Sequence, residues 1–254
     1  MIRKRIGILG CGTIGGTLVR SVLETPSLEL AFVYSRNEKR FAEFPPGIGT
    51  TADAAVLMHP TDLIIEAAHA DLVRGVALRI VERSDLLVFS VTALADDEFR
   101  EKLEHVAMHH GHNVYIPHGA IIGMDGLMDG GSTVHSVTIT TTKSPASLGL
   151  PSQEYKVVYE GSTRGACAKF PRNVNVHATI ALCGIGFDKT VSRIVADPAV
   201  NTNSHLLEIR GDGYKFKIEV SSEAGGKVSG AYMLHSAIGA LRRVTNRHGG
   251  FQFI

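Results

Sequence analysis

The most specific chemistry in this chain sits near its N-terminus, where Gly10-Cys11-Gly12-Thr13-Ile14-Gly15 reads G-x-G-x-x-G. The pattern suits a pyrophosphate. The first glycine permits a tight turn, the second lets phosphates approach the backbone, and the third lets helix and strand pack closely. Gly10, Gly12, Thr13, Ile14 and Gly15 are therefore candidate cofactor contacts, with helix N–H groups aimed at the anion. A glycine-rich turn without a ligand is the alternative, and the position between an apolar strand and a helix argues against it. The next strand ends at Ser35-Arg36-Asn37. An NAD site carries an Asp or Glu there for the ribose hydroxyls. Here no acid is present, and Glu38 falls past the expected position. Arg36 can pair with a 2′-phosphate and stack on adenine, so Ser35, Arg36 and Asn37 favour NADP over NAD. A solvated loop arginine is the plainer alternative.

The chain has 12 histidines. His205 follows a polar loop and enters a strand. An imidazole with an ordinary pKa of about 6.5 can accept a proton near neutrality, although a histidine bonded to its own strand is an equally simple reading. His118 lies in a glycine-rich turn suited to polar contacts. Asn173 and Asn175 flank Val174 just before a helix, where either can serve as a cap. His109, His110 and His112 end a helix and read as a solvated face, because a metal needs convergent ligands; no metal is expected. Cys11, inside the glycine loop, reads as packing.

These residues need a frame. Arg5–Leu9, a helix from Thr17 to Glu24 and Leu28–Ser35 form a β-α-β unit, with Pro26 stopping the helix. A short helix over 50–58, with Asp53 in its first turn, comes next. Strands at 62–67, 86–91 and 113–116 then alternate with helices at 70–83 and 96–110. Continuous apolar strands alternating with helices imply a parallel sheet covered on both faces. The pattern changes at Pro117. Val134–Thr142 alternates and is rich in β-branched residues, as a strand with one exposed face would be. Residues 204–210 and 215–220 form a hairpin across Gly211-Asp212-Gly213. A last helix covers 230–244. The fold class is α/β: a Rossmann doubly wound parallel sheet plus a smaller α+β domain.

Lys and Arg total 26 and Asp and Glu 25, for a net charge of +1. Bulk charge therefore gives no hold on nucleic acid. No apolar run reaches the roughly 18 residues of a membrane span. The N-terminus runs straight into a strand, leaving no room for a signal peptide. Three cysteines, Cys11, Cys167 and Cys183, form no C-x-x-C pair, and a reduced, cytoplasmic setting is expected.

Longer motifs add a resemblance. GCGTIG, LLVFSVTALAD (86–96), GAIIGMDGL (119–127), TTTKSP, EGSTRGA, FPRNVNV and the 196–205 segment together resemble the L-aspartate dehydrogenase family over nearly the whole chain. The resemblance implies an NAD(P)-dependent oxidoreductase that converts aspartate to iminoaspartate or oxaloacetate and ammonia, commonly in pyridine nucleotide biosynthesis. It implies a dinucleotide domain of residues 1–117 and 230–254, and a substrate and dimerisation domain of 118–229. A homodimer acting on a small dicarboxylic amino acid follows from it. The family's catalytic histidine falls on His205, and its cofactor contacts in the second domain on Ala120 and Asn175. Lys143 suits a substrate carboxylate by charge, and Asn173 can supply an amide donor. The chain departs from the family at His118, where a serine is usual, at Lys227-Val228-Ser229 in place of Lys-Thr-Ser, and in the missing acid after the second strand. His118 is kept as a substrate-binding candidate. A related dehydrogenase or reductase acting on another small amino, hydroxy or semialdehyde acid is the alternative function.

Overall fold

A computed structural model describes residues 3–50, 59–151, 154–223 and 230–245. The chain divides into two compact units. One ends at Pro117 and resumes at Ala237; the other runs from His118 to Ser236.

The first unit is built on strands β1 (Lys4–Leu9), β2 (Leu28–Tyr34), β3 (Gly49–Thr50), β4 (Leu63–Glu66), β5 (Asp85–Val88) and β6 (Val114–Tyr115). They pair in the order β3-β2-β1-β4-β5-β6, and every pair is parallel. This order reverses direction between β1 and β4, the switch point where such sheets open a ligand crevice. Ile6, Ile8, Phe32, Val33, Ile65 and Val88 are wholly buried, as strands covered on both faces require. Helices α1 (Thr13–Leu23), α2 (Ala70–Val81) and α3 (Asp97–His110) connect them. Asp96 caps α3 by accepting from Phe99 N at 3.1 Å, and Gly111 ends it at φ +71°, a left-handed stop that glycine adopts without strain. Helix α1 begins four residues earlier than its sequence periodicity suggests, because Gly15 and Gly16 are part of its first turns. Glycine disfavours a helix intrinsically, and here close packing overrides that preference. The helix expected over 50–58, with Asp53, lies outside the described residues except Thr50, which pairs in β3.

The second unit holds α4 (Met124–Gly130), β7 (Val134–Lys143), β8 (Lys156–Ser162), α5 (Thr163–Lys169), α6 (Asn175–Cys183), β9 (Val191–Ala196), β10 (Thr202–Gly211) and β11 (Tyr214–Glu223). The sheet order is β11-β10-β7-β9-β8. It is mixed, since β7 and β9 run parallel and the other pairs antiparallel. The β10–β11 hairpin turns at Asp212-Gly213, and its strands run longer than expected. Helix α7 (Tyr232–Thr245) spans the division between the units. Ile121, Leu127, Val137, Ile139, Ile180, Leu207 and Ile209 form the core of this unit.

Candidate active site and dinucleotide loop

The glycine loop joins β1 to α1. Gly10 has φ +104°, and a Cβ there would meet the Ala67 carbonyl oxygen at 2.6 Å. At Gly15 a Cβ would sit 1.9 Å from the Gly10 carbonyl oxygen. These two positions have no room for a side chain. Gly12 is different: nothing lies within 4 Å of its would-be Cβ. Gly12 also caps α1, with no side-chain cap and no acidic residue in the first turn. Open space beside uncapped N–H groups at Thr13 and Ile14 fits a pyrophosphate. Cys11 is buried, and burial pushes its thiol pKa up, which makes it a packing residue.

After β2, the Ser35 hydroxyl accepts from Asn37 N at 3.1 Å. Asn37 Oδ1 accepts from Lys39 N at 3.2 Å and starts a 3-10 turn over Glu38–Glu43. Arg36 is exposed at the tip of this corner. One acid that spacing did not single out is Glu66, the last residue of β4, paired beside Leu9. Its buried carboxylate accepts from Ala68 N at 2.7 Å, Ser90 N at 2.9 Å and Ser90 Oγ at 2.8 Å. It thereby ties the loop after β4 to the loop after β5. Burial raises its pKa despite those bonds.

In the second unit the sheet sorts its buried face by polarity. Along β7 the buried positions run Val137, Ile139, Thr141, Lys143. Along β10 they run Ile209, Leu207, His205, Asn203. Antiparallel register sets Val137 against Ile209, Ile139 against Leu207 and Thr141 against His205. One end of the face is therefore hydrocarbon and the other holds an imidazole, an ammonium and an amide. His205 and Lys143 are only 6% and 4% exposed. Burial pushes the Lys143 pKa down to about 8. Burial, then the Lys143 charge, pushes His205 down to about 3. His205 is thus neutral at pH 7, and Lys143 is mostly charged.

His205 is also the end of a buried polar chain. Its Nδ1 lies 2.8 Å from Thr141 Oγ1, which lies 2.6 Å from His177 Nε2. His177 Nδ1 lies 2.9 Å from Ser192 Oγ, and that oxygen 2.7 Å from Thr163 Oγ1. Thr163 donates to the Thr190 carbonyl at 3.1 Å. His177, on the buried side of α6, is held well below its ordinary pKa by burial and by the neighbouring His205 and Lys143. Sequence reasoning singled out none of Thr141, His177, Ser192 or Thr163.

The remaining candidates are placed as follows. Neither asparagine caps α6: the cap position is Val174, with no side-chain bond, and Asn175 is the first helical residue. Asn173 is half-buried, and its Oδ1 is enclosed without a hydrogen-bond partner. His118 is half-buried, with Nδ1 2.7 Å from the Ile121 carbonyl. Ala120 is buried between them in the chain. His112 turns its Nδ1 to the Val81 carbonyl at 2.8 Å, while His109 and His110 are exposed at the end of α3.

Residues 125–244 match the family profile described as aspartate dehydrogenase, C-terminal. Residues 10–117 match that of the homoserine dehydrogenase NAD binding domain. The L-aspartate dehydrogenase of Methanothermobacter thermautotrophicus is 37% identical, over 85% of this chain and 86% of its own. That of Methanosarcina mazei is 34% identical, over 95% and 97%. The crystal structure of aspartate dehydrogenase from Thermotoga maritima superposes with a TM-score of 0.79 at 29% identity, covering 98% of this chain and 100% of that one.

Proposed function

The chain belongs to the aspartate dehydrogenase family, and from that premise we propose how its residues divide the reaction. It oxidises L-aspartate with a pyridine nucleotide to iminoaspartate, or to oxaloacetate and ammonia after hydrolysis, and its product supplies pyridine nucleotide biosynthesis. Residues 1–117 and 230–254 serve as the cofactor domain and 118–229 as the substrate domain. Gly10, Gly12, Thr13, Ile14 and Gly15 hold the pyrophosphate, and Ser35, Arg36 and Asn37 the adenosine end. Ala120 and Asn175 contact the cofactor from the second domain. When bound, the nicotinamide supplies a hydride acceptor for the substrate C2. NADP is preferred, because the corner after β2 offers an exposed arginine and no acid at the ribose position.

The protein's own chemistry falls to His205 and Lys143. Lys143 binds one substrate carboxylate by a charge-assisted bond. His205, neutral at pH 7, accepts a proton from the substrate ammonium or from water attacking the imine. A carboxylate arriving at Lys143 offsets the charge that depresses His205. The histidine thus becomes a stronger base when substrate is present. Asn173 supplies an amide donor to the substrate, and His118 is a further substrate contact. The observation that carries this reading is the buried ammonium of Lys143 two residues along β7 from Thr141, the cross-strand partner of His205.

The test is His205→Ala. It should lose L-aspartate-dependent NADP reduction while binding NADP normally by fluorescence titration. Normal turnover in that variant removes His205 from the mechanism.

The protein acts as a homodimer in the cytoplasm. Its three cysteines are free thiols, as a reducing compartment keeps them. On the opposite face of the second sheet, Thr138, Thr140, Thr142 and Leu206 are half-buried and Val157 is 42% exposed, a surface suited to a second copy. Among the described residues no helix is long and apolar enough to cross a membrane.

A further inference from the structure

We propose that His177 is a positioning residue that fixes the tautomer of His205 through a one-way chain of hydrogen bonds, leaving Nε2 of His205 bare to receive the proton. The proposal rests on the reading of His205 as proton acceptor and adds the device that prepares it.

The direction follows from counting protons. Each hydroxyl in the chain has one proton to give, and each neutral imidazole has one N–H. The far end is the Thr190 carbonyl, which can only accept. Thr163 spends its proton there. The proton between Thr163 and Ser192 must then come from Ser192. Ser192 can therefore only accept from His177, so His177 carries its proton on Nδ1. Its Nε2 is left bare and accepts from Thr141. Thr141, having given its proton to His177, must accept from His205 Nδ1. His205 is thereby the Nδ1–H tautomer, with its lone pair on Nε2.

The reverse direction fails on the same count. Thr163 would point its proton at Ser192 and give up the bond to the Thr190 carbonyl. His205 would then present an N–H at Nε2 and could accept nothing there. Losing a hydrogen bond in a fully buried site is unfavourable, and Thr141, His177, Ser192 and Thr163 are all at most 1% exposed. A protonated His177 would also break the chain, since it would donate at both nitrogens. Histidine in water favours the opposite tautomer, Nε2–H, so the bare Nε2 needs a partner to hold it. A hydrogen bond at one ring nitrogen is the usual way a protein sets the other.

The chain also explains residue types that packing alone does not. Val137 and Ile139 fill the preceding buried positions of β7, and valine at 141 would fill the space of Thr141. The hydroxyl is what joins β10 to α6.

The test reads the tautomer directly, by long-range 1H–15N correlation of 15N-histidine-labelled protein at pH 7. His205→Asn and His177→Gln identify the two ring systems among the others. Nδ1–H with bare Nε2 on both rings is expected. An Nε2–H signal on His205 overturns the proposal whatever the activity. Thr141→Val keeps the shape and removes the link. It should move His205 toward Nε2–H and lower kcat by about tenfold or more, the low end of what a positioned base supplies. KM for L-aspartate should stay within about threefold, since uniform binding is untouched. Thr141→Ser should restore both the tautomer and kcat. An unchanged His205 tautomer in folded Thr141→Val overturns the proposal. The wild-type spectrum decides the matter if that variant does not fold. Turnover retained in His205→Ala would remove the underlying reading of the base, while the tautomers seen by NMR would still judge the chain on their own.

Discussion

A lysine ammonium buried among β-strands is held at a cost, and the cost shows as a pKa of about 8. Only the protonated form attracts a carboxylate. As pH rises through about 8, Lys143 loses its proton and the free enzyme loses its hold on substrate. The expected outcome is a kcat/KM for L-aspartate that falls about tenfold per pH unit on the alkaline side, as a single required proton dictates. Lys143→Met should abolish that limb and lower kcat/KM at pH 7 by roughly 10–100-fold, the value of a charge-assisted bond. Stopped-flow or steady-state profiles from pH 6 to 10 decide it. On the acid side His205 stays neutral down to about 3, so the free-enzyme profile should show no inflection near the ordinary histidine pKa of about 6.5. Arg36 makes a separate, equally local prediction. Arg36→Ala should weaken NADP binding by about 10-fold or more while leaving NAD within about threefold, because only the 2′-phosphate pairs with it. Equal losses for both nucleotides, by fluorescence titration, would assign Arg36 to something other than the phosphate.

At the scale of elements, the join between β1 and α1 makes two glycines behave oppositely. A Cβ at Gly15 would collide with the Gly10 backbone oxygen, so α1 must move off the strand. Gly15→Ala should lower the melting temperature and abolish cofactor binding together. Gly12 has open space, so Gly12→Ala should melt normally yet bind nucleotide at least about tenfold more weakly, because its methyl occupies the phosphate approach. A thermal melt paired with nucleotide titration separates the two. The same join shows why so much of this fold was legible. Buried parallel strands are hydrophobic throughout, and G-x-G-x-x-G has few uses between a strand and a helix. The alternation of residues 134–142 gave β7 and its half-exposed character from period alone. The polar chain was not legible. Thr141 meets His177 and His205 across 36 and 64 residues of sequence, and the period that turns Thr141 inward with Val137 and Ile139 says nothing of its partners. The pairing of β7 with β10 and the packing of α6 decide those. Asn173 misled for a related reason. An asparagine before a helix suggests a cap, yet the cap position falls on Val174 and the amide oxygen is left for another partner. Glu66 closes an apolar strand, LIIE, and its role appears only once the Ser90 loop is folded against it.

For the molecule as a whole, the buried histidines couple stability to pH. In the native state His205 titrates at about 3 and His177 well below its ordinary 6.5, whereas in the unfolded chain both take up protons near 6.5. Between those values the unfolded state binds more protons than the native state. Stability is therefore complete above about 6.5 and is lost as pH falls toward 3. Glu66 acts in the other sense. Its native pKa is raised, so its stabilising contribution is present below the ordinary carboxyl range and fades as pH rises through the native value. The two effects lie in different compact units, His205 and His177 in the second and Glu66 in the first. Acidification from pH 7 to 5 should thus weaken the second unit while sparing the first. Hydrogen exchange followed by mass spectrometry checks this. Amides of β7, β10 and α6 should lose protection at pH 5 once intrinsic exchange rates are corrected, and those of β1 and β4 should keep theirs. His177→Gln replaces the buried imidazole with a group that cannot charge, and it should flatten the acid dependence of the second unit. Uniform loss across both units, or an undiminished acid dependence in His177→Gln, would place the proton-linked step elsewhere in the chain.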